Sequence, residues 1–221
     1  GDLDLYACRY TNNSYELAYP FPCHDANNGG TNFLLRNEGE FKFSEVTHPS
    51  GLDTDNQRWS YAASWEDYDN DGDLDLYVAN DYGRNCLYRN DGGRFVNVAP
   101  KAGVEDMASG MSVCWGDYNR DGLMDLYVSN MFSTAGNRIT FQDQFKPGIS
   151  IADRASIQRH ARGNTLFVNN GNGTVGDVSV ESGTTMGRWA WASLFVDLNN
   201  NGWEDIVVAN GYLSAPDTND L

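Results

Sequence analysis

The segment Asp67-Tyr68-Asp69-Asn70-Asp71-Gly72-Asp73-Leu74-Asp75 runs without a break into the apolar stretch Leu76-Tyr77-Val78. Acidic side chains at positions one, three, five and nine of such a short turn repel one another unless a cation fills their centre. The spacing suits calcium, which takes six to eight oxygen ligands, and a glycine at position six permits the bend that gathers them. Asp67, Asp69, Asp71 and Asp75 are therefore candidate ligands, with the backbone carbonyl of Asp73 at position seven. A helix-flanked calcium loop opens with the same spacing but closes on a glutamate at position twelve. Here position twelve is Val78, and the β-branched and aromatic flank predicts a strand.

The turn recurs twice. Asp117, Asn119, Asp121, Asp125 and the carbonyl of Leu123 repeat it, as do Asp197, Asn199, Asn201, Asp205 and the carbonyl of Trp203. A cut-off fourth copy opens the chain, where Gly1 to Tyr6 matches Gly72 to Tyr77 and makes Asp2 and Asp4 a partial site. One such turn alone also reads as a solvated Asx turn; repetition in one context favours about three calcium (Ca2+) sites. Ligand charge tunes affinity, so the Asp67 loop should bind tightest, the Asp117 loop next, and the Asp197 loop weakest.

Each loop has the same surroundings. A strand precedes it (Trp59 to Trp65, Met111 to Trp115, Trp189 to Phe195) and a second strand follows. A third runs over Asn32 to Asn37, Asn85 to Asn90 or Asn164 to Asn169, and after an Asn/Asp/Gly turn a fourth covers Phe41 to Val46, Arg94 to Val98 or Thr174 to Val178. Four short antiparallel strands in a repeat of about fifty residues make an all-β chain, a β-propeller of four-stranded blades with about four blades visible. The abundant aromatic residues read as inter-blade packing rather than as a ligand platform.

Asp-x-Asp-x-Asp-Gly-x-x-Asp-Leu-x-Val joined to Asn-x-Leu-Tyr-Arg-Asn-x-Gly-x-Phe resembles the VCBS or FG-GAP repeat of integrin α-subunit propellers. The joining is most similar to the cartilage acidic protein and ASPIC-UnbV type. The resemblance covers nearly all of residues 1–221 as one propeller region and implies an extracellular or cell-surface, calcium-stabilised propeller, usually seven-bladed. The chain then reads as part of such a ring.

The formal charge of −16 argues against nucleic acid as a partner, because phosphate binding needs a basic face. No run of about twenty apolar residues occurs, so no membrane-spanning helix is expected. Cys8, Cys23, Cys86 and Cys114 match no zinc or redox motif. They suit either two disulfides, Cys8 to Cys23 and Cys86 to Cys114, or four buried thiols. Asn12 and Asn172 head glycosylation sequons.

Two insertions, about residues 9–30 and 131–163, enter at the same connection, between the second and third strands. They should project from one face, where repeat proteins commonly carry binding loops. The second is a basic island, with Arg138, Lys146, Arg154, Arg159 and Arg162 beside His160, and a helix is predicted over Ile151 to Ala161. These cations either bind an anionic partner, an acidic glycan or a protein's carboxylates, or dock the insertion onto its acidic scaffold.

The leading expectation is a non-catalytic module for binding, adhesion or assembly, with structural calcium. One alternative is a subunit of an extracellular, glycosylated fibre, self-associating through open strand edges. A composite calcium loop between Asp217 to Leu221 of one copy and Gly1 to Asp4 of the next belongs to that reading. The other is a polysaccharide lyase or sugar dehydratase-like enzyme, for which His160 with Arg159 and Arg162 is the available cluster, since neither His24 nor His48 stands in a catalytic motif.

Overall fold

The structure, a computed structural model, describes residues 3–11 and 19–211. Asp2, the Asn12 sequon, and the segments of the composite loop at Gly1 and at Asp217 to Leu221 lie outside the described residues. The described residues form four antiparallel sheets in sequence order. Blade 1 holds β1 (Leu5–Ala7), β2 (Phe33–Asn37) and β3 (Phe43–Glu45), and a single helical turn, α1 (Thr47–Ser50), leads onward. Blade 2 is β4 (Trp59–Glu66), β5 (Asp75–Asp81), β6 (Cys86–Asn90) and β7 (Phe95–Asn97), followed by α2 (Ala99–Ala102). Blade 3 is β8 (Gly110–Gly116), β9 (Asp125–Asn130), β10 (Thr165–Asn169) and β11 (Val175–Asp177). Between β9 and β10 stand α3 (Thr134–Thr140) and α4 (Ile151–Ala161), the latter with the bounds its sequence predicts. Blade 4 is the pair β12 (Ala190–Val196) and β13 (Asp205–Asn210).

The leading strands β4, β8 and β12 pack side by side, so neighbouring blades meet face to face around a common centre. The second strand shows how period-two alternation builds this. Along β5, Leu76 and Val78 enter the core between blades 1 and 2, while Tyr77 and Ala79 enter the core between blades 2 and 3. Both faces of the blade are thus apolar, which is why β5 reads as a nearly continuous hydrophobic run.

Each leading strand carries one extra residue near its start: Tyr61, Met111 and Trp191. Such bulges re-aim side chains, and here they bring the Tyr61 and Trp191 rings of blades 2 and 4 to 5.8 Å. The fourth strands are shorter than expected. Phe41 sits in the turn at φ 59°, and Val46 already leads into α1.

The expected disulfides do not form; all four cysteines are free thiols. Cys8 turns into the core between blades 1 and 2, where Cys86 also lies, while Cys23 is exposed on the first insertion. Cys114 instead donates to Ser193 Oγ (3.4 Å) between blades 3 and 4. Cys86 and Cys114 therefore face different inter-blade layers, and burial pushes each thiol up to about 11.

Candidate metal centres

Three acidic turns join β4 to β5, β8 to β9 and β12 to β13, and their internal hydrogen bonds are congruent. At position one, Asp67 accepts the backbone N–H of Asp71 (3.1 Å) and of Gly72 (3.0 Å). Asp117 does the same with Asp121 (3.0 Å) and Gly122 (2.9 Å), and Asp197 with Asn201 (3.0 Å) and Gly202 (2.7 Å). At position five, Asp71, Asp121 and Asn201 accept the N–H of position seven at 2.8–2.9 Å. Position four is left-handed in all three (Asn70 φ 58°, Arg120 φ 62°, Asn200 φ 58°), and so is the glycine at position six. Only glycine tolerates that second left-handed step without strain.

The fit to a cation is clearest in the first loop. Oxygens of Asp67, Asp69 and Asp71 all lie within 4.8 Å of one another. Asp69 Oδ1 is buried with no hydrogen-bond donor to meet it. Burial, and then the charges of Asp71 and Asp67, hold its carboxyl above the ordinary range. Three converging carboxylates with an unmet acceptor are the donor set of a hard divalent cation.

Position nine stands back from that group. Asp75 is fully buried, its oxygens accepting the N–H of Asn90 (2.8 Å) and Tyr68 (3.1 Å), and burial raises it to about 6. Asp125 matches it, accepting from Asn169 (2.8 Å) and raised to about 6 by burial, but its Oδ2 has no partner. Asp4 accepts from Asn37 (2.8 Å) in the same way. In the other two loops, Asn119 donates to Asp121 Oδ2 (2.9 Å), and Asp205 accepts from Leu198 (3.2 Å). Asp197, partly exposed, is held low by the N–H of Gly202 and its neighbours. Asp73, Leu123 and Trp203 occupy position seven, and Arg120 lies over the Trp203 ring at 5.2 Å, joining two loops. Asn199 occupies position three of the last loop.

The asparagine that closes each third strand, Asn37, Asn90 or Asn169, has a role the loop spacing did not announce. It fixes the position-nine aspartate with its N–H and the position-eight carbonyl with its amide. Its fixed place in the Asn-x-Leu-Tyr-Arg-Asn pattern was the available signal. The asparagine that opens the strand works at the other end. Asn32, Asn85 and Asn164 accept the N–H of Arg9, Asn80 and Asn130 (2.7–2.8 Å), which in blades 1 and 3 pins the roots of the insertions.

The basic island is mostly engaged internally. Arg154 donates to the carbonyls of Thr140, Gln142 and Phe145, fastening α4 to the segment after α3. Arg159 pairs with Asp106 (2.5 Å) and Asp177 (3.2 Å), and Arg162 with Asp177 (2.8 Å). His160 stacks on Tyr82 and meets Ser109 Oγ at 2.8 Å; burial lowers its pKa. These side chains therefore dock the insertion, leaving exposed Arg138 and Lys146, the latter over the Phe145 ring. His24 stands 3.8 Å from Asp153, and His48 binds Asp53. Asn172 is exposed on the β10–β11 turn, its Oδ1 accepting from Thr174.

Congruent acidic turns, each feeding the second strand of a blade, define a β-propeller assembled from acidic-loop repeats. A family model described as an FG-GAP-like repeat matches residues 1–78, 67–128 and 150–208, and the chain belongs to that family. No curated protein matches the chain significantly. Among the described residues, no helix is long and apolar enough to cross a membrane.

Proposed function

We propose that the chain is a calcium-stabilised propeller module of an extracellular or cell-surface protein, which binds a partner through the face bearing its insertions. The observation that carries the metal assignment is the convergence of Asp67, Asp69 and Asp71 around a buried oxygen that no protein donor meets. Each ion would tie its loop to the mouth of the second strand and neutralise carboxylates that otherwise repel. Asp67, Asp69, Asp71 and Asp75, with the Asp73 carbonyl, would hold the first ion; Asp117, Asn119, Asp121, Asp125 and Leu123 the second; Asp197, Asn199, Asn201, Asp205 and Trp203 the third.

Family membership supports a binding role, and the pairing of the two motifs supports kinship with the ASPIC-UnbV type. The roots of both insertions are pinned by asparagines onto rigid strands, an arrangement suited to presenting loops to a protein or glycan partner. Isothermal titration of chelator-treated protein tests the metal. Calcium uptake near three per chain with a raised melting temperature is expected. Absence of both effects would refute the assignment.

A further inference from the structure

Two adjoining clefts lie between blades 1 and 2. The first, about 460 Å³, is walled by Asn27 of the first insertion, by Thr31 just after it and by the connection from Asp53 to Arg58. The second, about 490 Å³, lies against His48, Arg94 and Asn97. Asp53 and Asp55 line both, so the two make one groove with a carboxylate saddle. Each part has the volume of a small-molecule site.

The first cleft has no apolar side chain in its lining. Sites for apolar ligands are lined mainly by hydrophobic and aromatic groups, so this one suits a ligand covered in hydroxyls. Its hydrogen-bonding groups divide into fixed and free. Asn56 is fixed, its amide bridging the N–H and carbonyl of Asn32. The side chains of Asn27, Thr31 and Gln57 make no hydrogen bond to the described residues, and amides and hydroxyls both donate and accept.

Arg58 pairs through Nη1 with Asp25 (2.9 Å), which also holds Arg84, yet its Nε is buried with no acceptor. A buried, unmet donor in the wall of a polar cleft points to an acceptor supplied by a ligand. The two carboxylates are oriented, Asp53 by His48 (2.5 Å) and Asp55 by Asn97 (2.8 Å). Oriented carboxylates accept strong hydrogen bonds from hydroxyls and repel anions.

We infer that this groove is a binding site for a neutral oligosaccharide, with Asn27, Thr31, Gln57 and Arg58 contacting one sugar unit and Asp53 and Asp55 the junction to the next. This rests on the reading of the chain as a binding module and names an uncharged glycan as its ligand, at a groove beside the first insertion rather than at the cations of the second.

The test is a glycan array probed in calcium with the whole chain, carrying neutral hexose and N-acetylhexosamine oligomers beside uronate-bearing and sulfated ones. Retention on neutral oligomers is expected. It should weaken at least tenfold in Asn27→Ala and Gln57→Ala, both at exposed positions, and remain unchanged in Arg138→Ala. Retention on anionic oligomers alone, no retention, or neutral retention indifferent to Asn27→Ala and Gln57→Ala would each overturn the inference. Melting curves of the same samples with calcium and with chelator show that each variant folds, and they report on the metal assignment separately.

Discussion

Asn169 of blade 3 donates its side-chain amide to the carbonyl of Tyr68 in blade 2 at 2.7 Å, so the outer hairpin of one blade holds the acidic loop of the next. The same amide reaches Met124 in its own loop (3.2 Å), and the whole residue is buried. The amide of Asn90, its counterpart in blade 2, donates among the described residues only to Leu74 of its own loop. A buried acceptor left unmet costs about 1–3 kcal/mol. Asn169→Ala should therefore lower the unfolding free energy by roughly that amount, and Asn90→Ala by distinctly less. Urea unfolding in calcium distinguishes them; equal losses would remove the cross-blade contact from the account.

The three loops share one backbone but not one charge. Four carboxylates serve the Asp67 loop, three the Asp117 loop and two the Asp197 loop, and affinity for calcium follows ligand charge. Calorimetric titration of Asp67→Ala, Asp117→Ala and Asp197→Ala should lose the tightest, middle and weakest event respectively. A tightest event that survives Asp67→Ala would reverse the order.

Acid should act in opposite directions with and without metal. Burial raises Asp75 and Asp125 to about 6 in the folded chain, above the unfolded carboxylate. The calcium-free fold therefore binds protons more tightly than the unfolded chain. Its penalty is absent below the unfolded pKa and complete once pH exceeds 6. Calcium-free protein should gain about 1 kcal/mol per group on moving from pH 7.5 to 5. With calcium bound, protons compete with the cation and the same move should destabilise. Denaturant melts at both pH values, with Asp125→Asn flattening the calcium-free response, check the sign.

Sequence periodicity exposed the strands because Leu76, Tyr77, Val78 and Ala79 alternate between two apolar cores. It exposed the loops because their ligand positions lie within nine consecutive residues. What it could not decide was the fate of groups whose partners are distant in the chain. Asp106 and Asp177, which take Arg159, stand on either side of the insertion that carries it. Cys8 and Cys86 enter one inter-blade core from separate blades. Proximity in sequence suggested Cys23 as the partner of Cys8, but the alternation of β1 and the packing around Tyr6 draw Cys8 inward instead.

The docking of α4 gives the last prediction. The Asp106 carboxylate is wholly shielded from solvent and also accepts from Thr165 Oγ1 (3.0 Å) and Asn130 Nδ2 (2.9 Å), so it belongs to the scaffold whether or not the insertion is seated. Arg159→Ala would leave that charge buried with its cation removed, a change that typically costs about 3–5 kcal/mol. Asp106→Asn in the same chain removes the stranded charge, so the double variant should recover part of the loss even though no cation returns. Arg138, exposed on α3, should tolerate alanine with no measurable change. Hydrogen exchange over residues 150–163 reads the outcome locally, and faster exchange in Arg159→Ala is expected there before the blades respond. If Arg138→Ala and Arg159→Ala loosened the helix equally, the ion pair with Asp106 would not be what seats it, and Arg159 would return to the set of cations available to an anionic partner.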